Sequence, residues 1–288
     1  MCYYLGAKMF GSIVHLELRK EEKFMKKILS MITAMVTLTL MLSTVAFAAD
    51  DVDNVVVYSG QSFKTSELSQ ETLDWLDWYN ALPDDLKEMV SHEPSELASP
   101  TPYTAGTTVD ALSLDSDVPM LRETSLLPTS GYEPTYNPDY WNADKNIRRA
   151  NCYAYSMDVL KKTEGKLQPG ELSGKPYTSL TKSAIEKAAK ADGPYLGSGR
   201  KITNSSQNAT PGKNQYKVAL VIAPNADYHW YVQNSDGYWS HKRGTTEVSN
   251  VDASGKKITD PQTCDRNYGS NLNYSDFCGY YLVEYTNK

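Results

Sequence analysis

Apolar residues recur along this chain at two periods, and the change from one to the other organises it. Behind the start Ser69-Gln70-Glu71, Leu73, Leu76, Tyr79 and Leu82 follow helical spacing, with Trp75 and Trp78 alongside. Pro83 stops this helix, and Asp84 to Ser91 opens a second with two acids, so a small helical hairpin is expected. Asn151 is a good N-cap for a helix predicted over Cys152 to Lys162, apolar at Cys152, Tyr155, Met157, Val159 and Leu160. Thr178 or Ser179 caps another helix through Lys190. Beyond the Gly/Ser/Asn-rich loop 193–214 the pattern becomes strand-like. Residues 216–222 read as a buried strand, 228–233 and 238–242 as a hairpin around Asn234-Ser235-Asp236-Gly237, and 280–285 as a closing strand. A short strand at 52–58 stands apart. Helices first and an antiparallel sheet afterwards predict an α+β layer architecture.

The N-terminal region reads differently. Met25-Lys26-Lys27, an apolar run from Ile28 and Ala46-Phe47-Ala48 have the form of a secretory signal peptide, residues 25–48. A retained membrane helix is the alternative, and the small-residue cleavage site and acidic continuation favour removal. Residues 1–24 carry no structural pattern, which suggests a start assigned too early. The remaining chain divides into a small helical module (49–92), a Pro/Ser/Thr-rich linker (93–135) and a larger domain (136–288). The whole chain carries −6; residues 1–48 hold six basic and three acidic side chains, which leaves 23 and 32, a net −9. An acidic exported chain without a basic cluster excludes nucleic acid as a natural partner and predicts no stable membrane insertion after cleavage. No cofactor motif or metal-ligand spacing is present, so neither cofactor nor metal is expected.

Chemistry concentrates on few residues. With Cys2 ahead of the signal, Cys152, Cys264 and Cys278 remain, and an odd number outside the cell predicts one bridge and one free thiol. Cys264 and Cys278 flank a polar, turn-rich loop and are the natural pair, leaving Cys152 free. At the first turn of its helix, Cys152 would have its thiolate favoured by unpaired backbone N–H groups; a buried structural cysteine is the plainer reading. Beyond the linker only two histidines occur, His229 and His241. If the hairpin loop is Ser235-Asp236-Gly237, His241 opposes Tyr231 and lies diagonal to His229 on the same face. Cys152 is then a candidate nucleophile, His229 a general base and acid, and His241 an orienter of the ring, with Asp252, Asp227 and Asn250 as further orienters. Each histidine could also be a merely hydrogen-bonded sheet residue. Trp75 and Trp78 suit packing better than a binding face, and His92, in a polar loop, has only the plain reading.

These residues resemble the NlpC-type cell-wall peptidases, a papain-like group. Tyr140 lies twelve residues before Cys152, Asn151 takes the position of the family's capping Asp, Leu167-Gln168-Pro169-Gly170-Glu171 is similar to its middle motif, and His229 and His241 are twelve apart. The likeness covers about residues 136–288. Tyr-Ala follows Cys152 where the family has Ser-Gly, and Trp-Tyr follows His229. The runs Asn-Cys-Tyr-Ala-Tyr and Asp-Tyr-His-Trp-Tyr also resemble those of a family of exported bacterial proteins. The resemblance implies a papain-like fold with the cysteine helix packed on the sheet, a peptide or peptidoglycan-type substrate, and an oxyanion site at the Cys152 N–H and the Tyr140 hydroxyl.

The sequence thus points to an exported cysteine hydrolase that cleaves amide bonds through an acyl-enzyme. A secreted adhesion or binding module, served by 21 tyrosines and five tryptophans, is the competing class, and a catalytically dead relative of the peptidases a third.

Overall fold

The computed structural model describes residues 54–98, 109–111 and 126–286. The expected early start (1–24) and the expected signal peptide (25–48) lie outside them. The described residues belong to one compact unit, 54–288. Its elements in order are β1 (Val55–Tyr58), β2 (Gln61–Lys64), α1 (Gln70–Ala81), α2 (Asp84–Met89), β3 (Val109–Ala111), α3 (Pro138–Trp141), α4 (Asp144–Ile147), α5 (Cys152–Ser156), β4 (Val159–Lys161), α6 (Lys182–Asp192), β5 (Arg200–Ser205), β6 (Gln215–Ala223), β7 (Asp227–Gln233), β8 (Trp239–Lys242), β9 (Val248–Ser249) and β10 (Asp276–Tyr285).

The architecture is α+β. Six antiparallel strands form the main sheet in the order β5-β10-β6-β7-β8-β9. β6 is central and apolar from Val218 to Ala223, with Lys217 buried ahead of that run, and both of its faces are covered. On one face Val218, Leu220, Tyr228, Trp230 and Val232 pack against α5, β4 and α6 through Tyr153, Met157, Leu160 and Ile185. On the other, Ala219, Val221, Tyr231 and Trp239 meet the N-terminal module through Trp75, Leu76, Leu86 and Val90. Alternation along β6 and β7 therefore assigns odd positions to one layer and even positions to the other.

The helix at 70–81 forms as its spacing predicts, with the Ser69 hydroxyl accepting the Thr72 N–H. A β1–β2 hairpin precedes it. The hairpin loop is the three-residue one: Asn234 opposes Tyr238, and Gly237 takes φ +85°.

Three expectations are corrected. The helix from Cys152 ends at Ser156: Asp158 adopts φ +54° and the chain continues as β4, paired with β3 from within the expected linker. Every residue from Cys152 to Leu160 is buried, so no solvent face exists to sustain a surface helix. The polar stretch 200–205, read as loop, is the edge strand β5, where chiefly Arg200 and Ile202 turn inward. Finally, α6 is capped by Thr181, later than Thr178 or Ser179.

Candidate active site

Two imidazoles meet inside the sheet layer. Because β7 and β8 pair Tyr231 with His241, His229 and His241 share one face, and His229 Nε2 lies 2.9 Å from His241 Nδ1. His241 Nε2 is 3.1 Å from the Val251 carbonyl. That oxygen only accepts, so Nε2 of His241 carries its proton and Nδ1 is the acceptor. The His229 Nε2–H must then donate, which leaves His229 Nδ1 as a bare lone pair. This nitrogen is buried and has no hydrogen-bond partner. Burial pushes the basicity of both rings down, to about 3 for His241 and well below the usual histidine value for His229, where the second ring and Arg243 add to the effect. Both imidazoles are neutral. Tyr231 stacks on His241 at 4.9 Å and 14°, and meets His229 edge-on at 4.9 Å.

Cys152 reaches this region from the opposite layer. Its helix starts where Asn151 accepts the Ala154 N–H, as expected of the cap. β8 covers only Tyr231 to Gln233 of β7, while β6 pairs with the strand back to Asp227. The sulfur occupies the edge left open, 3.9 Å from the Tyr228 carbonyl and facing the Trp230 N–H. No hydrogen bond joins it to His229 Nδ1. The helix-tip thiolate is not what the surroundings favour: the side chain is fully buried, and burial and then the Asp227 carboxylate push the thiol well up. One short turn of helix supplies too little positive potential to offset that desolvation.

The other sequence candidates have different partners. Asp227 receives the Ser91 and His92 N–H groups at 2.9 and 2.6 Å and the Tyr274 hydroxyl at 2.7 Å, and burial raises it to about 6 against these bonds. It organises the strand end and does not hold either imidazole. Asp252 caps the turn to Lys256, taking the Ser254, Lys256 and Asp265 N–H groups. Asn250 joins a backbone pairing with Ile258. The orienter of His241 is thus a main-chain carbonyl. Tyr140 packs edge-on against Trp141, and its carbonyl takes the Asn146 amide, contacts that hold it with the entry helices.

The Cys264–Cys278 bridge is a correction. Both are free thiols, because Cys278 faces the α5 layer while Cys264 packs with the N-terminal module's layer. The sheet separates them, and loop length alone could not reveal this.

Several residues enter that the sequence did not mark. Gln168 is buried, its Oε1 accepting the Tyr177 and Tyr228 hydroxyls at 3.0 and 3.1 Å and its Nε2 donating to the Ser91 carbonyl at 2.9 Å. Ser91 is fully buried, its hydroxyl beside the Cys152 thiol without closing a well-formed bond. His92 hydrogen-bonds Tyr177 and meets Trp75 edge-on at 5.5 Å. Outside this wall lies a cleft of about 770 Å³ lined by Trp75, Trp78, His92, Gln168, Tyr177 and Ala226. Gln168 stood in the Gln-Pro-Gly-Glu run, the one available signal.

Among the described residues no group of His, Cys, Asp and Glu is arranged to hold a metal ion, and no helix is long and apolar enough to cross a membrane. No family model matches the chain, and no solved structure does. Over 145 residues, half of this chain, it is 37% identical to Insoluble matrix shell protein 1 of Ruditapes philippinarum, covering 86% of that protein. The chain belongs to the same family as this shell matrix protein.

Proposed function

We propose that the chain is an exported cysteine hydrolase of papain-like, NlpC-type character, cleaving amide bonds in peptide or cell-wall peptide. The observation that carries this reading is the proton order of the histidine pair. It leaves His229 Nδ1 unprotonated and unpartnered, on a strand whose open edge holds Cys152. Other buried atoms, the indole N–H groups of Trp230 and Trp239 among them, also lack a partner, so the support comes from the combination: an acceptor of fixed tautomer on the strand that carries the thiol at its edge.

In the proposed reaction the Cys152 proton passes to His229 Nδ1 and the sulfur adds to the substrate carbonyl. The Cys152 N–H, and Tyr140 once the entry helices close on substrate, would receive the oxyanion. The imidazolium proton then goes to the departing amine, leaving a thioester. Water, deprotonated by the same nitrogen, releases the acid and restores the thiol. His241 fixes the tautomer throughout, and a thiol neutral at rest fits a base that is neutral at rest. Export accords with the matrix location in the relative's name.

The test is hydrolysis of peptide and peptidoglycan fragments by the exported chain and by Cys152→Ala and His229→Ala. Products formed by the parent and by neither variant are expected; products that persist in Cys152→Ala would end the proposal. One specific finding favours a second reading, a non-catalytic matrix or binding protein: the relative is named as a matrix constituent, and this chain has an aromatic cleft suited to stacking. Binding to glycan or peptide that survives loss of Cys152, with no turnover in the parent, would select it.

A further inference from the structure

Between α2 and the cleft the chain runs as a strap across the thiol. Glu88 accepts the Thr245 N–H at 3.1 Å, Val90 and Ser91 are fully buried, and Leu97 anchors the far end in the core. The middle of the strap is held through its backbone. Two successive N–H groups, of Ser91 and His92, go to the two oxygens of Asp227, and the intervening Ser91 carbonyl takes the Gln168 amide. The Gln168 orientation is not free, since two tyrosine hydroxyls point at its Oε1 and only the NH₂ remains for the carbonyl. Ser91, a small residue, sits beside the sulfur, and Gly244, at φ +47°, leaves room for Glu88 and Val90 where a Cβ would stand 2.0 Å from the Glu88 carbonyl oxygen. The bonds at Ser91 and His92 are main-chain bonds that an extended peptide with a small residue at that position could make, while Val90 and Leu97 in the core, the His92 ring on Tyr177 and Glu96 on Ser69 add sequence-specific contacts on either side.

We propose that residues 90–97 are an internal pseudosubstrate. They occupy the groove of the thiol site, and the ligand that replaces them is an extended peptide main chain, its N–H groups received by Asp227 and its carbonyl by Gln168. The proposal rests on reading Cys152 as the reactive group. It slows the resting chain without silencing it, since peptide enters only while the strap is lifted: the sulfur is fully buried with the strap down, and the 770 Å³ cleft beyond His92 is where the strap's continuation yields to a longer peptide. Opening breaks the bonds to Asp227 and Gln168 and lifts the segment between the core anchors Val90 and Leu97, a local event that precedes global unfolding.

The experiment follows alkylation of Cys152 by iodoacetamide under native conditions, read peptide by peptide by mass spectrometry on the full chain. Gly244→Ala wedges Glu88 away and Gln168→Leu removes the carbonyl tether; each should speed Cys152 labelling about tenfold or more, with near-ultraviolet circular dichroism unchanged. The peptide Val-Ser-His-Glu-Pro-Ser-Glu-Leu in excess should return Gly244→Ala to the parent rate, and a scrambled peptide should not. In the parent itself, the Cys152 labelling rate should match hydrogen exchange at the Ser91 and His92 amides, because one opening frees both. Labelling within about twofold of the parent in both folded variants, equal protection by the scrambled peptide, or parent Cys152 labelled only together with the core thiol Cys278 on global unfolding would each overturn the strap. Faster labelling without peptide hydrolysis in the opened variants would leave the strap standing and end the hydrolase reading. Unchanged labelling in a protein that cleaves peptides would do the reverse.

Discussion

Replacing His241 by Phe isolates what the second imidazole does. Phe keeps the ring that stacks on Tyr231 at 4.9 Å and 14°, so the aromatic contact survives. What disappears are two bonds, from His229 Nε2 at 2.9 Å and to the Val251 carbonyl at 3.1 Å. A buried polar group left without its partner costs about 1–3 kcal/mol. Val251 is more than a third exposed, so water can reclaim part of its loss, whereas His229 is fully buried and cannot be compensated. The expected destabilisation is therefore about 2–4 kcal/mol, carried mostly by the orphaned N–H. Urea unfolding at unchanged m-value measures it. His241→Gln, whose amide can donate to Val251 and accept from His229, should recover a substantial part. Nitrogen NMR of labelled histidine supplies the second readout: His229 is expected in the Nε2–H tautomer in the parent and in a mixture in the Phe variant. Because the Nδ1–H form cannot act as base, turnover on the hydrolase reading should fall in proportion to the Nε2–H fraction lost, about twofold for an even mixture. A Phe variant as stable as the parent, or a parent His229 protonated at Nδ1, would refute the reasoning.

Three other outcomes follow from the same coordinates. An imidazole held neutral when folded takes its proton only on unfolding and so costs stability below about pH 6.5, while a carboxyl raised when folded gains stability as pH falls from its raised value to about 4. His92, His229 and His241 are of the first kind and Asp158, Asp192 and Asp227, raised to about 7, 6 and 6, are, with Glu93, of the second; the two kinds oppose each other between pH 6 and 4, and Asp227→Asn, with one compensating group removed, should change the slope relative to the parent by about 1.4 kcal/mol per pH unit, falling toward acid, in denaturation at stepped pH. Under denaturing, non-reducing conditions Cys152, Cys264 and Cys278 should all alkylate; protection of Cys264 and Cys278 together would contradict their placement on opposite faces. Trp75→Phe keeps the stack on Tyr79 but deletes the 2.8 Å bond to the Ala226 carbonyl, and should cost about 1 kcal/mol in thermal or urea unfolding.

How much of this was legible follows from what each residue depends on. The diagonal placement of His229 and His241 needed only the two-residue period and a glycine able to take positive φ, both local properties of the hairpin. The helix over 70–81 was legible for the same reason, since its cap and spacing lie within one window. The end of the Cys152 helix was not: burial on all sides erased the amphipathic period, and the turn at Asp158 is imposed by β3, some fifty residues earlier. The Val251 carbonyl carries no side-chain signal at all. Ser91, His92 and Tyr274 converge on Asp227 from distant parts of the chain, and a single sequence has no means of bringing them together. The supposed disulfide failed because loop composition says nothing about which sheet face each thiol meets.

The matrix protein in the same family sharpens a choice between chemistry and scaffold. A scaffold selected for rigidity gains from pairing each buried polar atom, and this chain does so densely around Asp227, whose two oxygens take four donors including the Tyr228 N–H. Two residues along the same face it leaves His229 Nδ1 unpaired, and the Ser91 hydroxyl and the indole N–H groups of Trp230 and Trp239 are likewise without a partner. An apolar residue at 229 would avoid the cost of that lone pair, about 1–3 kcal/mol, and so would a second hydroxyl within reach. What sets this nitrogen apart from those atoms is that its protonation state is fixed through two further residues, His241 and Val251. On the proposed reading a proton acceptor waiting for a thiol gives a reason for the ordered tautomer as well as the open nitrogen, because a base must be held firmly and its lone pair must stay free. If replacing His229 by a well-packed Leu stabilised the fold and left every property of the chain unchanged, that reason would disappear and the scaffold reading would suffice.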